Sequence, residues 1–213
     1  NLVQYLKIDV PVCLGAENPI IKDVEVWDAI HGESGLDGFD FPDLKIDFDP
    51  KHAVTFIIDT LLKSDDLVTV VTTGPMTNLA LALRMNPAIK NHIKEVVLMG
   101  GSIANGNVTP AAEFNIFCDP EAAHIVFNSG LKVTMIGLDV TRQVLVLPHI
   151  VDRMEKINND GAIMFAKLMR VFNENQLRVF GFAGAPLHDP VTIAYLIDPS
   201  LLDIKHVHCE IDI

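Results

Sequence analysis

The segment between residues 95 and 121 carries the side chains whose types and spacing are best suited to chemistry. It reads EVVLMGGSIANGNVTPAAEFNIFCDPE, so an apolar run ends in Gly-Gly and a long polar loop follows. The loop contains Asn105, Asn107, Glu113 and Asn115, with Phe114 between the last two. Amides both donate and accept hydrogen bonds and an ionised carboxylate accepts them, so this set suits a polyhydroxylated ligand such as a sugar. The alternative is that the Asn and Gly residues only form turns and that Glu113 is solvated.

Three further short segments place a polar side chain beside glycine or proline. His31 begins HGESGLDG, whose glycines indicate a backbone that bends or comes close to another group. This segment is not a nucleophile elbow, because G-x-S-x-G requires a glycine where Leu36 stands. Thr73 precedes Gly-Pro, and His188-Asp189 precedes a proline. Taken alone, Thr73 is explained by a turn and His188 by a packed side chain.

The composition argues against several classes of protein. The chain has 213 residues, 49% of them hydrophobic, and a formal net charge of -12 with no run of Lys or Arg. A single globular domain is therefore expected, whereas a nucleic-acid partner is not, because phosphate binding depends on clustered cations. No membrane span is expected either, since no segment has the ~18 uninterrupted apolar residues that one needs. The three cysteines form no CxxC pair, which predicts reduced thiols in a cytoplasmic protein.

Apolar periodicity predicts strands that alternate with helices. Strands are expected at residues 10–14, 67–71, 96–99, 132–138 and 206–213. Helices are expected at residues 52–63, 76–85 and 89–94, after a cap at Asp119, in two pieces between 147 and 182, and from 190 to 196. Residues 16–50 are expected to be mostly loop, and residues 181–186 are expected to be a flexible loop.

Long connections between these strands predict an α/β fold with a mainly parallel central sheet and helices on both faces. In such sheets, ligands bind beyond the carboxyl ends of the strands. Thr73, Asn107 and Asp139 each follow a predicted strand. We therefore expect them at one edge of the sheet.

Three segments give the chain a resemblance to a known family. They are TTGPMTNLALAL at 72–83, VVLMGGSIANGNVTPAAEFNIFCDPEAA at 96–123 and APLHDPVTIAYLIDP at 185–199. In order and spacing they resemble the nucleoside hydrolases of the inosine-uridine-preferring type, along nearly the whole chain. The resemblance implies a Rossmann-like α/β fold and an enzyme in which water held by a calcium ion cleaves the N-glycosidic bond of a ribonucleoside. The products are then ribose and the free base, and the protein is a homo-oligomer, a dimer or tetramer.

Carried over position by position, the resemblance implies roles for individual residues. The carbonyl of Thr73 and the carboxylate of Asp189 resemble calcium ligands, of the hard-oxygen kind that this ion prefers. The residues that resemble the family's substrate-binding set are Asn107, Glu113, Phe114 and Asn115. His188 resembles the catalytic group that protonates or contacts the departing base, a common role for imidazoles. His31 resembles a histidine near the base pocket.

The resemblance fails at the N-terminal end. The family has an Asp-rich run after its first strand, which supplies most calcium ligands and the carboxylate that deprotonates the water. Here Asp65-Asp66 is the only adjacent pair, and it precedes a strand. Because Asn1 begins in the middle of a helical pattern, we expect a single domain that lacks its first strand–helix unit, with its C-terminal end also in question. As a complete gene product, such a chain is expected to bind calcium weakly and to turn over poorly or not at all.

Three other interpretations remain open. The first is a catalytically impaired or non-catalytic protein of the same fold that binds nucleosides or ribose. An NAD-dependent enzyme is disfavoured, because Gly100, Gly101 and Gly106 do not make G-x-G-x-x-G. A purely structural subunit is the third, and an effect of Glu113 or Asn115 substitutions on ligand binding would exclude it. The sequence does not rank purine against pyrimidine nucleosides.

Overall fold

The computed structural model describes residues 1–24, 32 and 34–213 of the chain. These residues form nine α-helices, five strands and two short 3-10 helices. The α-helices are α1 (Leu2–Tyr5), α2 (Ala53–Lys63), α3 (Thr77–Met85), α4 (Phe114–Cys118), α5 (Pro120–Phe127), α6 (Leu138–Thr141), α7 (Pro148–Glu155), α8 (Asp160–Phe180) and α9 (Pro190–Ile197). The strands are β1 (Val68–Thr72), β2 (Ile93–Met99), β3 (Val133–Ile136), β4 (Leu145–Val146) and β5 (Ala185–Pro186). The 3-10 helices are Pro87–His92 and Pro199–Leu201.

The chain divides into two compact units. The sheet unit comprises Cys13–Glu25, Asp49–Arg142 and His188–Ile213, and the helical unit comprises Asn1–Val12, Val26–Phe48 and Gln143–Leu187. Every predicted site residue that the structure describes belongs to the sheet unit.

The sheet unit contains a three-stranded parallel sheet in the order β1-β2-β3. Its central strand, β2, is buried at every residue except Lys94. Strands of a parallel sheet are covered on both faces, which is why β2 reads as a nearly continuous apolar run and not as an alternating one. Val96 of β2 pairs with Val70 on one side and Val133 on the other.

Helices pack against this sheet and complete its core. Val96 and Leu98 lie in one cluster with Leu79 of α3 and Val126 of α5. Since side chains alternate along a strand, Val97 points to the opposite face, and α9 also packs against β2. The predicted α/β fold, with a parallel sheet flanked by helices, is confirmed.

The predicted helix boundaries agree with side-chain caps. The Asp119 carboxylate accepts the Ala122 N–H at 2.9 Å and begins α5, as expected. Asn159 caps α8 in the same way by accepting the Ala162 N–H at 2.8 Å. Gly181, at φ +73°, ends α8 in the left-handed conformation that glycine adopts readily. The predictions for α2, α3, α7, α8 and α9 are confirmed within one or two residues.

In the helical unit, the Asn173 side chain joins α8 to a short two-stranded ribbon. Val146 of β4 pairs with Ala185 of β5 in a short antiparallel ribbon. Asn173 of α8 donates from Nδ2 to the Val146 carbonyl at 3.0 Å and accepts the Ala185 N–H on Oδ1 at 2.7 Å. The prediction that residues 181–186 are all loop is therefore wrong at β5, because a distant strand and a helix supply the partners.

Two predicted strands are wrong. In residues 10–14, only Cys13 forms a bridge, to Asp49, and Leu14 is 59% exposed. Residues 206–213 form no strand, and Val207 is 66% exposed. Both segments have strand-like residues, but a strand needs a neighbour to complete its backbone hydrogen bonds, and the described residues supply none beyond that one bridge.

Other boundaries differ locally from the predictions. The expected helix at 89–94 is a 3-10 helix that ends at His92, and β2 begins at Ile93. β3 ends at Ile136, so that Leu138 already belongs to α6. The five-residue helix α4 was not predicted at all. Within the described part of the chain, no helix is both long enough and apolar enough to span a membrane.

Candidate functional site

The carboxyl ends of the three parallel strands meet at one edge of the sheet. Thr73 directly follows β1, Gly100 directly follows β2, and Gly137 directly follows β3. Thr73 is exposed there. The chain therefore brings three loops to the edge at which parallel sheets bind ligands.

Two glycines allow close approaches at this edge. A Cβ on Gly100 would lie 3.3 Å from Oε2 of Glu113, and a Cβ on Gly137 would lie 2.9 Å from the Gly101 carbonyl oxygen. The Gly101 carbonyl also accepts the Leu138 N–H at 2.9 Å. The loop after β2 is thus held directly against the start of α6.

Glu113 is the buried carboxylate of the site and caps α4. Its side chain is 3% exposed. Its Oε2 accepts three backbone N–H groups, from Gly101 at 3.0 Å, Asn115 at 2.9 Å and Ile116 at 3.2 Å. Burial raises its pKa above the usual value, although these three donors oppose the shift. With Oε2 occupied, Oε1 is the oxygen that remains to accept from a ligand.

The two asparagines are oriented by backbone contacts. Oδ1 of Asn107 accepts the Phe114 N–H at 2.9 Å. Nδ2 of Asn115 donates to the Met99 carbonyl at 3.1 Å. Since only an oxygen can accept the first bond and only an amide nitrogen can donate the second, both amide orientations follow. A ligand would therefore meet a donor at Asn107 and an acceptor at Asn115.

The aromatic residue of this set, Phe114, lies at the first position of α4. Phe114 lines an open cavity of about 260 Å³, together with Pro75, Asn78 and Cys118. The carbonyl oxygen of the Asn78 side chain accepts the Ala16 N–H at 2.9 Å, so the 16–24 segment forms part of the same cavity wall.

His188 and Asp189 precede α9 and come close to the same edge. Nδ1 of His188 is hydrogen-bonded to Oγ1 of Thr141 at 2.8 Å, and Thr141 is fully buried. Asp189 has its pKa raised by desolvation, although the residue as a whole is exposed. Its charge in turn contributes to the raised pKa of Glu113, which means that the two carboxylates lie within electrostatic reach of each other.

The structure thus brings most of the predicted residues into one region. Asn107 is bonded to the backbone of Phe114, and Glu113 is bonded to the backbone of Asn115 and interacts with Asp189. His31 lies outside the described residues. The chemical role of each residue stays a prediction.

Sequence reasoning overlooked the residues that support this set. Thr141 and Arg142 were not singled out, and Asp139 was noted only for its position after a strand. The available signal was GLDVTR at 137–142, which overlaps the end of the strand predicted at 132–138 and so places polar side chains at a sheet edge.

The calcium prediction rests on two oxygen donors, Thr73 and Asp189. Among the residues that the structure describes, no three His, Cys, Asp or Glu side chains are grouped so that they could hold a metal ion. Calcium takes about six to eight oxygen ligands, so these two donors do not make a calcium site by themselves.

The chain is an α/β protein with a parallel sheet, a class that binds small molecules at the carboxyl edge of the sheet, where amides, carboxylates and a histidine lie in this structure. More specifically, the chain belongs to the inosine-uridine preferring nucleoside hydrolase family, whose sequence pattern matches residues 1–213. The predicted family is confirmed, and it is a family of enzymes.

Individual relatives agree with this assignment. The pyrimidine-specific ribonucleoside hydrolase RihB of Shigella flexneri serotype 5b is 45% identical over the whole chain, which covers 68% of that protein. A solved purine-preferring ribonucleoside hydrolase from Gardnerella vaginalis is 36% identical with a TM-score of 0.89, over 95% of this chain and 66% of its own. The plant nucleoside hydrolase PpNRh1 is 28% identical with a TM-score of 0.88, over 95% and 65%. The chain spans about two thirds of the length of these relatives.

Proposed function

We propose that this protein hydrolyses the N-glycosidic bond of ribonucleosides and releases ribose and the free base. One observation carries the proposal: backbone contacts of Asn107, Glu113 and Asn115 leave one donor and two acceptors for a ligand. Ribose hydroxyls both donate and accept, so they match such a set.

The charges of the site suit the chemistry. Cleavage of a ribosyl C–N bond develops positive charge on the sugar, which nearby carboxylates stabilise in the transition state. Glu113 and Asp189 are two such carboxylates; burial is the main cause of the raised pKa of Glu113, and repulsion from Asp189 adds to it. A developing positive charge near them relieves that repulsion.

Hydrolysis exchanges one bond for another. The C1′–O bond from water forms, the C1′–N bond breaks, and the base leaves with the bonding electron pair and takes up a proton. We assign the contact with the departing base to His188, because an imidazole is suited to proton transfer near neutral pH and the Thr141 contact at Nδ1 fixes the orientation of its ring.

The relatives favour pyrimidine nucleosides as first substrates. The curated relatives with 45–46% identity are named pyrimidine-specific, whereas the solved enzyme named purine-preferring is 36% identical. We therefore propose uridine and cytidine ahead of inosine, and parallel assays with the three nucleosides test this order.

We also propose that Thr73 and Asp189 contribute to a calcium site. Asp189 and Thr73 supply two of the oxygens that calcium prefers, and the nearby charge of Glu113 adds to the attraction for a cation. Titration calorimetry of this chain with calcium tests the assignment, and Asp189→Asn is expected to abolish the heat of binding. An unchanged titration in that variant would remove Asp189 from the ligand set.

The proposal also includes a cytoplasmic homo-oligomer, a dimer or tetramer. Cys13, Cys118 and Cys209 are free thiols, which supports a reducing compartment. Light scattering coupled to size-exclusion chromatography measures the assembly.

An assay with paired variants tests the main proposal. Wild-type protein is expected to release base and reducing sugar from uridine, and Glu113→Gln is expected to lower kcat/KM by about 100-fold or more. Glu174→Gln, on the exposed face of α8, is the matched control. If calorimetry finds nucleoside binding while chromatography finds no product, the protein is a non-catalytic binder.

A further inference from the structure

We propose that the short helix α6, with the arginine that follows it, is the positioning element of this site. Thr141 orients His188, while Asp139 and Arg142 hold the backbone that leads into Asn107. The inference rests on the proposed function, because it assigns these residues to the same site.

The hydroxyl of Thr141 is hydrogen-bonded to the imidazole of His188. The residue is fully buried, and its hydroxyl meets Nδ1 of His188 at 2.8 Å. A buried hydroxyl is rarely left without a partner, so this contact fixes the rotation of the imidazole ring. Because the ring is rigid, holding Nδ1 also fixes the position of Nε2 on the opposite edge of the ring.

Asp139 and Arg142 hold four consecutive residues of the loop after β2, which we call the 103–106 segment. The Asp139 carboxylate accepts the N–H groups of Ile103 at 2.6 Å and Ala104 at 3.0 Å. The Arg142 guanidinium donates to the carbonyls of Asn105 at 2.9 Å and Gly106 at 2.8 Å. The residue that follows is Asn107, so the position of its amide depends on these four bonds.

The place of α6 in the fold makes it suitable for this task. Leu138 is 1% exposed and Thr141 is 0% exposed, so the helix is anchored in the core. Its first N–H, from Leu138, is bonded to the Gly101 carbonyl at 2.9 Å. Because Asp139 lies on the same helix as Thr141 and Arg142 directly follows that helix, a rigid element fixes the distance between the ribose-binding loop and His188.

A pair of substitutions separates the hydroxyl of Thr141 from its volume. Thr141→Val keeps the shape and removes the hydrogen bond, and it is expected to lower kcat about tenfold with little change in KM. Thr141→Ser keeps the hydroxyl and is expected to restore most of the lost kcat. Thr134→Val, at a buried threonine on β3, is the matched control for the same chemical change and is expected to leave kcat as it is.

A double variant shows whether Thr141 acts through His188. In the His188→Gln background, Thr141→Val is expected to have no further effect on kcat, since the contact is already lost. Independent losses that multiply in the double variant would overturn the positioning role of Thr141.

The Arg142 arm has a different kinetic signature. Arg142→Met removes the donors but keeps an unbranched apolar stem, and it is expected to raise KM about fivefold or more, because Asn107 contacts the sugar in ground and transition states alike. Arg153→Met, at an exposed site on α7, is the control. An unchanged KM in Arg142→Met would overturn the positioning role of Arg142.

Nuclear magnetic resonance keeps the inference separate from the proposed function. In ¹⁵N-histidine-labelled protein, the signals of His188 are identified as those that are missing from the spectrum of His188→Gln. Thr141→Val is expected to shift the Nδ1 resonance of His188, whereas Thr141→Ser is expected to leave it in place. If wild-type protein turns over no nucleoside but the Nδ1 shift is seen, the proposed function fails and the contact stands. If Thr141→Val is folded and changes neither the Nδ1 resonance nor kcat, the inference fails.

Discussion

Asn115 illustrates how one backbone contact decides what a side chain offers to a ligand. Its Nδ2 donates to the Met99 carbonyl at 3.1 Å, at the end of the central strand. The same residue type on a free loop could present either end of its amide. Nδ2 also donates to Sδ of Met99 at 3.4 Å, so both of its N–H groups are engaged and the carbonyl oxygen is the group left for a ligand.

We expect Asn115→Asp to destabilise the protein. A carboxylate has no donor for the Met99 carbonyl, and the repulsion between two acceptors is expected to lower the free energy of unfolding by about 1–3 kcal/mol. Urea unfolding measures the change. Asn91→Asp, at an exposed residue, is the control and is expected to stay within about 0.5 kcal/mol. Equal effects in the two variants would contradict the role given to the Met99 contact.

Glu113 predicts a pH dependence of stability whose sign follows from its raised pKa. In the folded protein the pKa lies above the ordinary 4.5, chiefly because of burial. Between the two values the folded state binds more protons than the unfolded state, so the contribution of Glu113 is most favourable below the ordinary pKa and is lost as the pH rises through the folded one. Relative to Glu113→Gln, wild-type protein is therefore expected to lose stability as the pH rises through this window. A difference that stays constant with pH would show that the three backbone donors cancel the effect of burial, and a difference that grows in favour of the wild type would show that they outweigh it; either result contradicts the prediction.

At the scale of elements, a single buried carboxylate joins α5 to two other segments. Asp119 is fully buried and caps α5 through the Ala122 N–H. Its other oxygen accepts the Ile20 N–H at 3.0 Å and the Thr77 hydroxyl. The cap of one helix is therefore also the anchor of the 16–24 segment and of the start of α3.

Asp119→Ala is expected to lower the free energy of unfolding by about 3 kcal/mol, because it removes a cap and leaves the buried Thr77 hydroxyl and the Ile20 N–H without their acceptor. Hydrogen exchange of the Ile20 amide is expected to accelerate at the same time. Asp198→Ala removes an exposed cap, with bonds to Ser200 only, and is expected to have a much smaller effect. If Ile20 exchanges at the wild-type rate in Asp119→Ala, the anchoring of the 16–24 segment is refuted.

At the scale of the whole molecule, the buried central strand dominates the stability of the sheet unit. Leu98 is 1% exposed and lies in the main core cluster. Leu98→Ala is expected to lower the free energy of unfolding by about 2–5 kcal/mol, since a buried leucine leaves both lost burial and a cavity. Leu67→Ala, at a residue that is 60% exposed just before β1, is expected to change it by less than about 0.5 kcal/mol. Calorimetric unfolding of both variants checks the contrast, and similar melting temperatures would contradict it.

The sequence determined the elements whose signals are local. Helical spacing and the Asp119 cap located α2 and α5, and the apolar run at β2 indicated a strand covered on both faces. The motifs in residues 72–83, 96–123 and 185–199 identified the family, and they contain most of the candidate site residues.

Only the tertiary structure decided which segments find partners. Residues 206–213 alternate like a strand but have no neighbouring strand among the described residues, whereas Ala185–Pro186 have no strand signal and pair with β4. The same holds for the site. The direction of the Asn107 and Asn115 amides and the contact between Thr141 and His188 depend on partners that the fold brings close. A hydrogen bond requires a partner at about 3 Å, and residue types alone do not place one there.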